Sequence, residues 1–209
     1  MAAISETIVR EYFELHGFLV RQYRKHVAPA GREDQDLDFL ALNPDPLTSP
    51  TELPFVLSSA ELPYIQRAVV IIKAWHTEVF SPALLDKAPE LFRFVQSKAF
   101  QSVVRSFGKN GPLTKLMVIP ALPQESKPRE QSISILRSKG VEAVLPFRTM
   151  MSDLVNYVEA NRNYQKSDVL QLIRILKNYD FLKGTQLELF KTKQKRPGRT
   201  KGASATLGE

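Results

Sequence analysis

Four β-branched residues in succession, Val69, Val70, Ile71 and Ile72, form the most concentrated apolar run of the chain. The run is too short for a helix and reads as a strand buried on both faces, taken here over residues 67–75. Lys73 stands at its exit, where an ammonium must be solvated, paired or used in chemistry. Two more short apolar runs, 18–23 and 37–42, precede it as strands, the second closed by the breaker Asn43-Pro44-Asp45-Pro46. Runs at 114–121 and 141–145 supply a fourth and a fifth strand.

Elsewhere the apolar period is helical. Ser5 is placed as the N-cap of a first helix whose stripe is Ile8, Tyr12 and Leu15, widened by Val9 and Phe13 and stopped by Gly17. A helix opening at Pro89 runs towards Phe107, and others cover 126–139, 148–160 and 167–179. The last has a strong stripe at Val169, Leu172, Ile173 and Leu176. Residues 47–64 read as a long proline-rich loop with one helical turn, and 81–89 as a loop with another. This order predicts an α/β fold: a mixed sheet flanked by helices over residues 1–145, then a helical extension over 146–190 that caps the core or offers a surface for a homodimer or protein partner.

Charge changes this picture little. The 209 residues carry a net charge of +7, but residues 191–209 hold six basic residues against Glu209, so the other 190 carry only +2. That tail, which includes Lys195 and Arg196, is expected to be disordered and either to add non-specific phosphate contacts or to serve as a solubilising terminus with no partner. The absence of cysteine removes disulfide and thiolate chemistry and suits a reducing, cytoplasmic setting. No apolar run approaches the roughly 20 residues that span a bilayer, and the first residues lack a secretory apolar region, so no membrane partner is expected.

Three chemically suggestive residues fall at compatible places: Glu6 on the first helix, Asp38 at the start of the second strand and Lys73 at the end of the third. For Asp38 and Lys73 to meet, the second and third strands must be neighbours. Arg21, Arg24 and Lys25 form a basic cluster at the end of the first strand, suited to phosphates or to an ordinary solvated face. Glu33, Asp34 and Asp36 are read as solvated loop, His16 and His26 as surface or turn residues, and His76 as a surface residue, a base or a ligand. There is no Walker phosphate loop and no Gly-x-Ser-x-Gly elbow.

Glu6 with IVREYFELHGF, then LDFLALN, then VVIIKAW, resembles the helix-and-hairpin core of the PD-(D/E)XK nuclease superfamily, in a layout similar to archaeal Holliday-junction resolvases. The resemblance covers roughly residues 5–120 and implies a restriction-endonuclease-like fold, DNA as partner and Mg²⁺ as the cofactor of an active member. It assigns Glu6 and Asp38 to the metal and Asp38 and Lys73 to catalysis. One position departs: two residues before Lys73, where the motif has a carboxylate, stands Ile71. A working site would need that carboxylate supplied by Glu90 or Glu78. Three readings stay open: a nucleic-acid-contacting protein with a degenerate metal site, an active Mg²⁺-dependent endonuclease with a migrated carboxylate, and a non-catalytic assembly subunit.

Overall fold

The computed structural model describes residues 2–22, 37–48, 52–96 and 111–182. Within them the elements are α1 (Ala2–Leu15), β1 (Leu19–Gln22), β2 (Phe39–Leu42), a 3-10 turn (Leu62–Tyr64), β3 (Arg67–Ile72), α2 (Pro82–Lys87), a second 3-10 turn (Pro89–Phe92) running into α3 (Arg93–Gln96), β4 (Thr114–Ile119), α4 (Ser126–Ser138), β5 (Ala143–Pro146), α5 (Phe147–Tyr157) and α6 (Asp168–Asn178). The chain is α/β, with one mixed five-stranded sheet in the order β1-β2-β3-β4-β5. β1, β2 and β3 form an antiparallel meander, and β4 and β5 add parallel to β3.

β3 lies at the centre, as its uninterrupted apolar run requires: Ala68, Val69 and Val70 are wholly buried, and Ile71 is 1% exposed. Alternation along the strands divides the core in two. Phe39, Ala41, Ala68, Val70, Leu116 and Val118 face one layer, where α1, α5 and α6 contribute Val9, Tyr12, Phe13, Met150, Leu154 and Ile173. Leu40, Val69, Ile71, Met117 and Ile119 face the other, packed on Leu85 of α2, Phe94 of α3 and Leu136 of α4. The C-terminal helices thus share a core with α1. The outer edge of β5 is covered by residues 55–57: Val144 donates its amide to Phe55 O at 2.8 Å, and Leu57 donates to Val144 O at 2.9 Å.

The end of α1 shows how local chemistry sets the path of the chain. Gly17 takes φ +82°, Gly17 N donates to Glu14 O at 3.0 Å and Phe18 N to Phe13 O at 3.0 Å, which caps two orphan carbonyls. The rings of Phe13 and Phe18, centroids 5.3 Å apart, close the motif with an apolar contact and turn the chain directly into β1. α4 ends on the same device at Gly140, φ +86°, with Gly140 N on Arg137 O and Val141 N on Leu136 O. Ser167 caps α6, its hydroxyl accepting from Leu170 N at 3.2 Å.

Several boundaries differ from the sequence reading. Ser5 is not an N-cap: α1 already begins at Ala2, and the buried Ser5 hydroxyl finds a tertiary partner. β3 stops at Ile72, three residues early, because the chain leaves the sheet into a turn closed by Glu78 N on Trp75 O. β4 ends before Pro120, which has no amide to continue the ladder. α5 ends at Tyr157, and the carbonyls just beyond it are taken by side chains, Val158 O by Lys177 Nζ and Ala160 O by Arg174 Nε. The helix expected from Pro89 opens as a 3-10 turn, and its expected continuation past Gln96 lies outside the described residues.

Candidate functional site

The sheet's pairing decides which candidate residues meet. Phe39 is opposite Val70 in the β2–β3 ladder, so Asp38, one residue earlier, stands at the end where β3 releases Ile72 and Lys73. Gln22, the last residue of β1, is opposite Phe39 and therefore reaches the same end. The side-chain amide of Gln22 donates to Glu6 Oε2 at 2.7 Å, which ties the N-terminal part of α1 to this edge. Glu6, Asp38 and Lys73 thus stand at the same end of the sheet, as the strand order expected from the sequence requires, with Glu6 on the face covered by α1 and Asp38 and Lys73 alternating to the other. Arg21, exposed on β1 opposite Leu40, lies beside them.

The chemistry of the three is unequal. Asp38 is bound into the ladder: its own amide donates to Val70 O at 3.3 Å, and its carboxylate Oδ2 accepts from Ile72 N at 2.6 Å. A carboxylate on a strand-end amide makes a charge-assisted hydrogen bond worth about 1.5–3 kcal/mol, so Asp38 has structural work whatever else it does. Glu6 is occupied by Gln22. Just past the end of β3, the Lys73 amide donates to Val118 O at 3.0 Å, while its half-buried side chain makes no ion pair among the described residues.

Ile71 sits where a second carboxylate would complete the motif. It is 1% exposed and belongs to the apolar cluster facing α2, α3 and α4, the layer opposite α1 and Glu6. Of the two proposed replacements, Glu90 is exposed on the Pro89–Phe92 turn, whose Leu91 and Phe92 pack into that same second layer. Glu78 is exposed in the turn after β3. Among the described residues no three His, Asp or Glu side chains stand together as ligands for one cation. Arg24, Lys25, Lys195, Arg196, His26 and the acidic group Glu33, Asp34 and Asp36 lie outside the described residues.

Two groups of polar contacts were not legible in the sequence. Ser5 Oγ lies 2.9 Å from His76 Nε2, and the His76 ring meets the edge of Phe147 with centroids 4.5 Å apart. This clasp ties the turn after Lys73 to α1, next to Glu6, and to the start of α5. The second is a chain through the first layer: Tyr12 OH lies 2.7 Å from Ser59 Oγ, the Tyr12 ring packs on His16 at 4.7 Å, and His16 Nε2 donates to Asp153 Oδ2 at 2.6 Å. Burial pushes the Tyr12 phenol well above its usual value; the Ser59 hydrogen bond opposes that rise, and the nearby Asp153 and Glu61 charges add to it. His16 and Asp153 are 137 residues apart, so no local pattern announces them.

No helix among the described residues is long and apolar enough to cross a membrane. Compared with known proteins, the chain matches no protein-family model, no curated protein and no solved structure.

Proposed function

We propose that this chain is a restriction-endonuclease-like protein that binds DNA at the sheet end carrying Arg21 and Lys73 and whose Mg²⁺ site is degenerate. The observation that carries the reading is the placement of Glu6, Asp38 and Lys73 at one end of a mixed sheet, with Ile71 packed into the core. A hydrolytic Mg²⁺ centre needs carboxylates that fix the cation and leave room for a polarised water. Here one of the two central positions is an isoleucine in an apolar cluster, and the other carboxylate already accepts a main-chain amide. Binding asks for less: cations placed to displace counterions from phosphates. The helix–meander–crossover order of α1 to β4 supports the resemblance in outline.

The test is direct. Fluorescence anisotropy with labelled duplex and branched DNA should show binding at low salt that weakens linearly in log–log form as salt rises. Incubation with Mg²⁺ or Mn²⁺ should leave the DNA uncut. Cleavage by the wild type that is lost in both Lys73→Ala and Asp38→Asn would make the chain an active nuclease. Asparagine is chosen at Asp38 because its carbonyl can still accept from Ile72 N.

One observation favours a second reading, an assembly subunit. α6 and the residues after it expose Leu172, Ile175, Tyr179 and Phe181, the last two 73% and 78% exposed, an apolar stripe of the kind that partners cover. Absence of any DNA binding at low salt, together with self-association or capture of a protein partner, would select it.

A further inference from the structure

An open cleft of about 520 Å³ lies between residues 58–60 and α5. Its lining is mixed: more of its surface is apolar than polar, and the polar groups include the hydroxyls of Ser58, Ser59, Thr149 and Ser152, the guanidinium of Arg148 and the carboxylate of Asp153. Ala60 and Pro146 are its apolar members. Sites for small organic ligands are enclosed and mostly apolar, whereas phosphodiester backbones are held by Arg, Ser and Thr side chains on open surfaces. This cleft is open and carries Arg, Ser and Thr side chains, which is what it shares with the second pattern.

Its position is also informative. β5 runs parallel to β4 and β3, so α5 starts at the same end of the sheet from which Lys73 emerges. The His76–Phe147 contact joins the turn after Lys73 to the first residue of α5, and Arg148 and Thr149 follow at once. The carboxylates nearby are occupied by protein donors. Asp153 accepts from His16, and Glu61 accepts from both the amide and the hydroxyl of Ser58, each at 2.6 Å. The Ser58 hydroxyl is the main reason the Glu61 carboxyl titrates below its usual range. Thr149 and Ser152 carry no hydrogen bond from their hydroxyls among the described residues.

From this arrangement we infer that the cleft is a second backbone contact for nucleic acid: Arg148 and the hydroxyls of Thr149 and Ser152 take a phosphate of the strand whose neighbouring phosphates lie at Lys73. The inference rests on the DNA-binding reading given above and extends it from a point at the sheet end to a track running over α5.

The experiment uses the full chain and a labelled 20-mer duplex, with affinity measured by anisotropy over a salt series. Arg148 is exposed, so its replacement leaves the core untouched. Arg148→Ala should weaken binding about three- to tenfold at low salt and lower the slope of log affinity against log salt by about 1, the loss of one phosphate contact. Arg93→Ala, an exposed cation on α3 in the other layer, is the charge-matched control and should leave the slope within error. If Arg148→Ala behaves like Arg93→Ala while Lys73→Ala loses affinity, the cleft is no part of the track and the sheet-end reading stands alone. If the wild type binds no DNA at low salt, the function itself is wrong and this inference goes with it.

Discussion

Replacing Ile71 by glutamate restores the motif on paper and tests whether that position addresses the cleft or the core. The structure says the core: Ile71 is 1% exposed, opposite Met117 in the ladder, in the cluster with Val69, Phe94 and Leu136. Losing the isoleucine side chain from such a site costs about 2–3 kcal/mol in apolar burial. A carboxyl held there stays protonated, and keeping it so at pH 7 costs about 1.4 kcal/mol for each pH unit above its usual value near 4.3, roughly 3.5 kcal/mol. The two together approach the whole stability of an ordinary domain, about 5–15 kcal/mol.

The sign of the pH dependence is fixed by the same argument. The folded-state value of the new carboxyl is raised above the unfolded one, so the electrostatic penalty is absent below pH about 4.3 and grows as pH rises towards the folded value. Urea denaturation of Ile71→Glu should therefore show a deficit against the wild type of about 6 kcal/mol at pH 7, shrinking by about 3.5 kcal/mol at pH 4.5. Ile71→Val, with a cost of about 1 kcal/mol at either pH, controls for packing alone. A deficit under about 1 kcal/mol that ignores pH would refute the burial argument. So would a rise in stability on adding 10 mM Mg²⁺, since binding with a Kd of about 1 mM would add about 1.4 kcal/mol.

Two further outcomes follow from particular contacts. Gly17 and Gly140 share a left-handed backbone, but a Cβ on Gly17 meets nothing within 4 Å, whereas one on Gly140 would lie 2.7 Å from Val95 Cγ1. Gly17→Ala should cost about 1 kcal/mol, the conformational term alone, and Gly140→Ala measurably more by the same denaturation assay; equal costs would show that Val95 yields freely. Tyr12 is wholly buried and its phenol titrates above the usual 10.0, so the stability it supports is complete below pH about 10 and is lost as pH climbs towards the folded value. Tyr12→Phe should flatten the alkaline decline in melting temperature relative to the wild type, and an unchanged decline would place its cause elsewhere.

The elements were legible where chemistry is local. The β-branched run at the centre of β3, the prolines after β2, and Gly17 and Gly140 each carry their own structural instruction, and the mixed sheet follows from their order. The ends of strands were not, because a strand stops where its partner stops: nothing in Lys73-Ala74-Trp75 itself says that the ladder closes at Ile72. The gathering of Asp38 and Lys73 could be read because adjacent antiparallel strands bring the start of one to the end of the next. The side chains that fill out that end could not. Ser5 and His76 are 71 residues apart, and the sequence offers each of them more plausible local duties, a cap for the serine and a surface position for the histidine.

Asp38 shows that a carboxylate at a strand end can have a purely structural duty. Ile72 N leaves the β2–β3 ladder at a position with no further main-chain pairing from β2, and a short acidic side chain one residue before the strand is well placed to accept from it. That requirement is met by an aspartate whether or not a cation is bound. It is a requirement of the sheet, and it differs from that of a hydrolytic centre, where a metal competes for the same lone pairs. Glu6, bonded to Gln22, fits the same description at the neighbouring strand. Both carboxylates thus help to hold the sheet end together, each through one oxygen, and Ile71 holds the second layer, while Arg21 remains exposed to solvent at that edge. An edge built this way would, on the proposed reading, offer the positive charge of Arg21 to a phosphate. On the proposed reading, attraction for nucleic acid and the power to hydrolyse it are therefore separable, and the substitutions that abolish one need not touch the other.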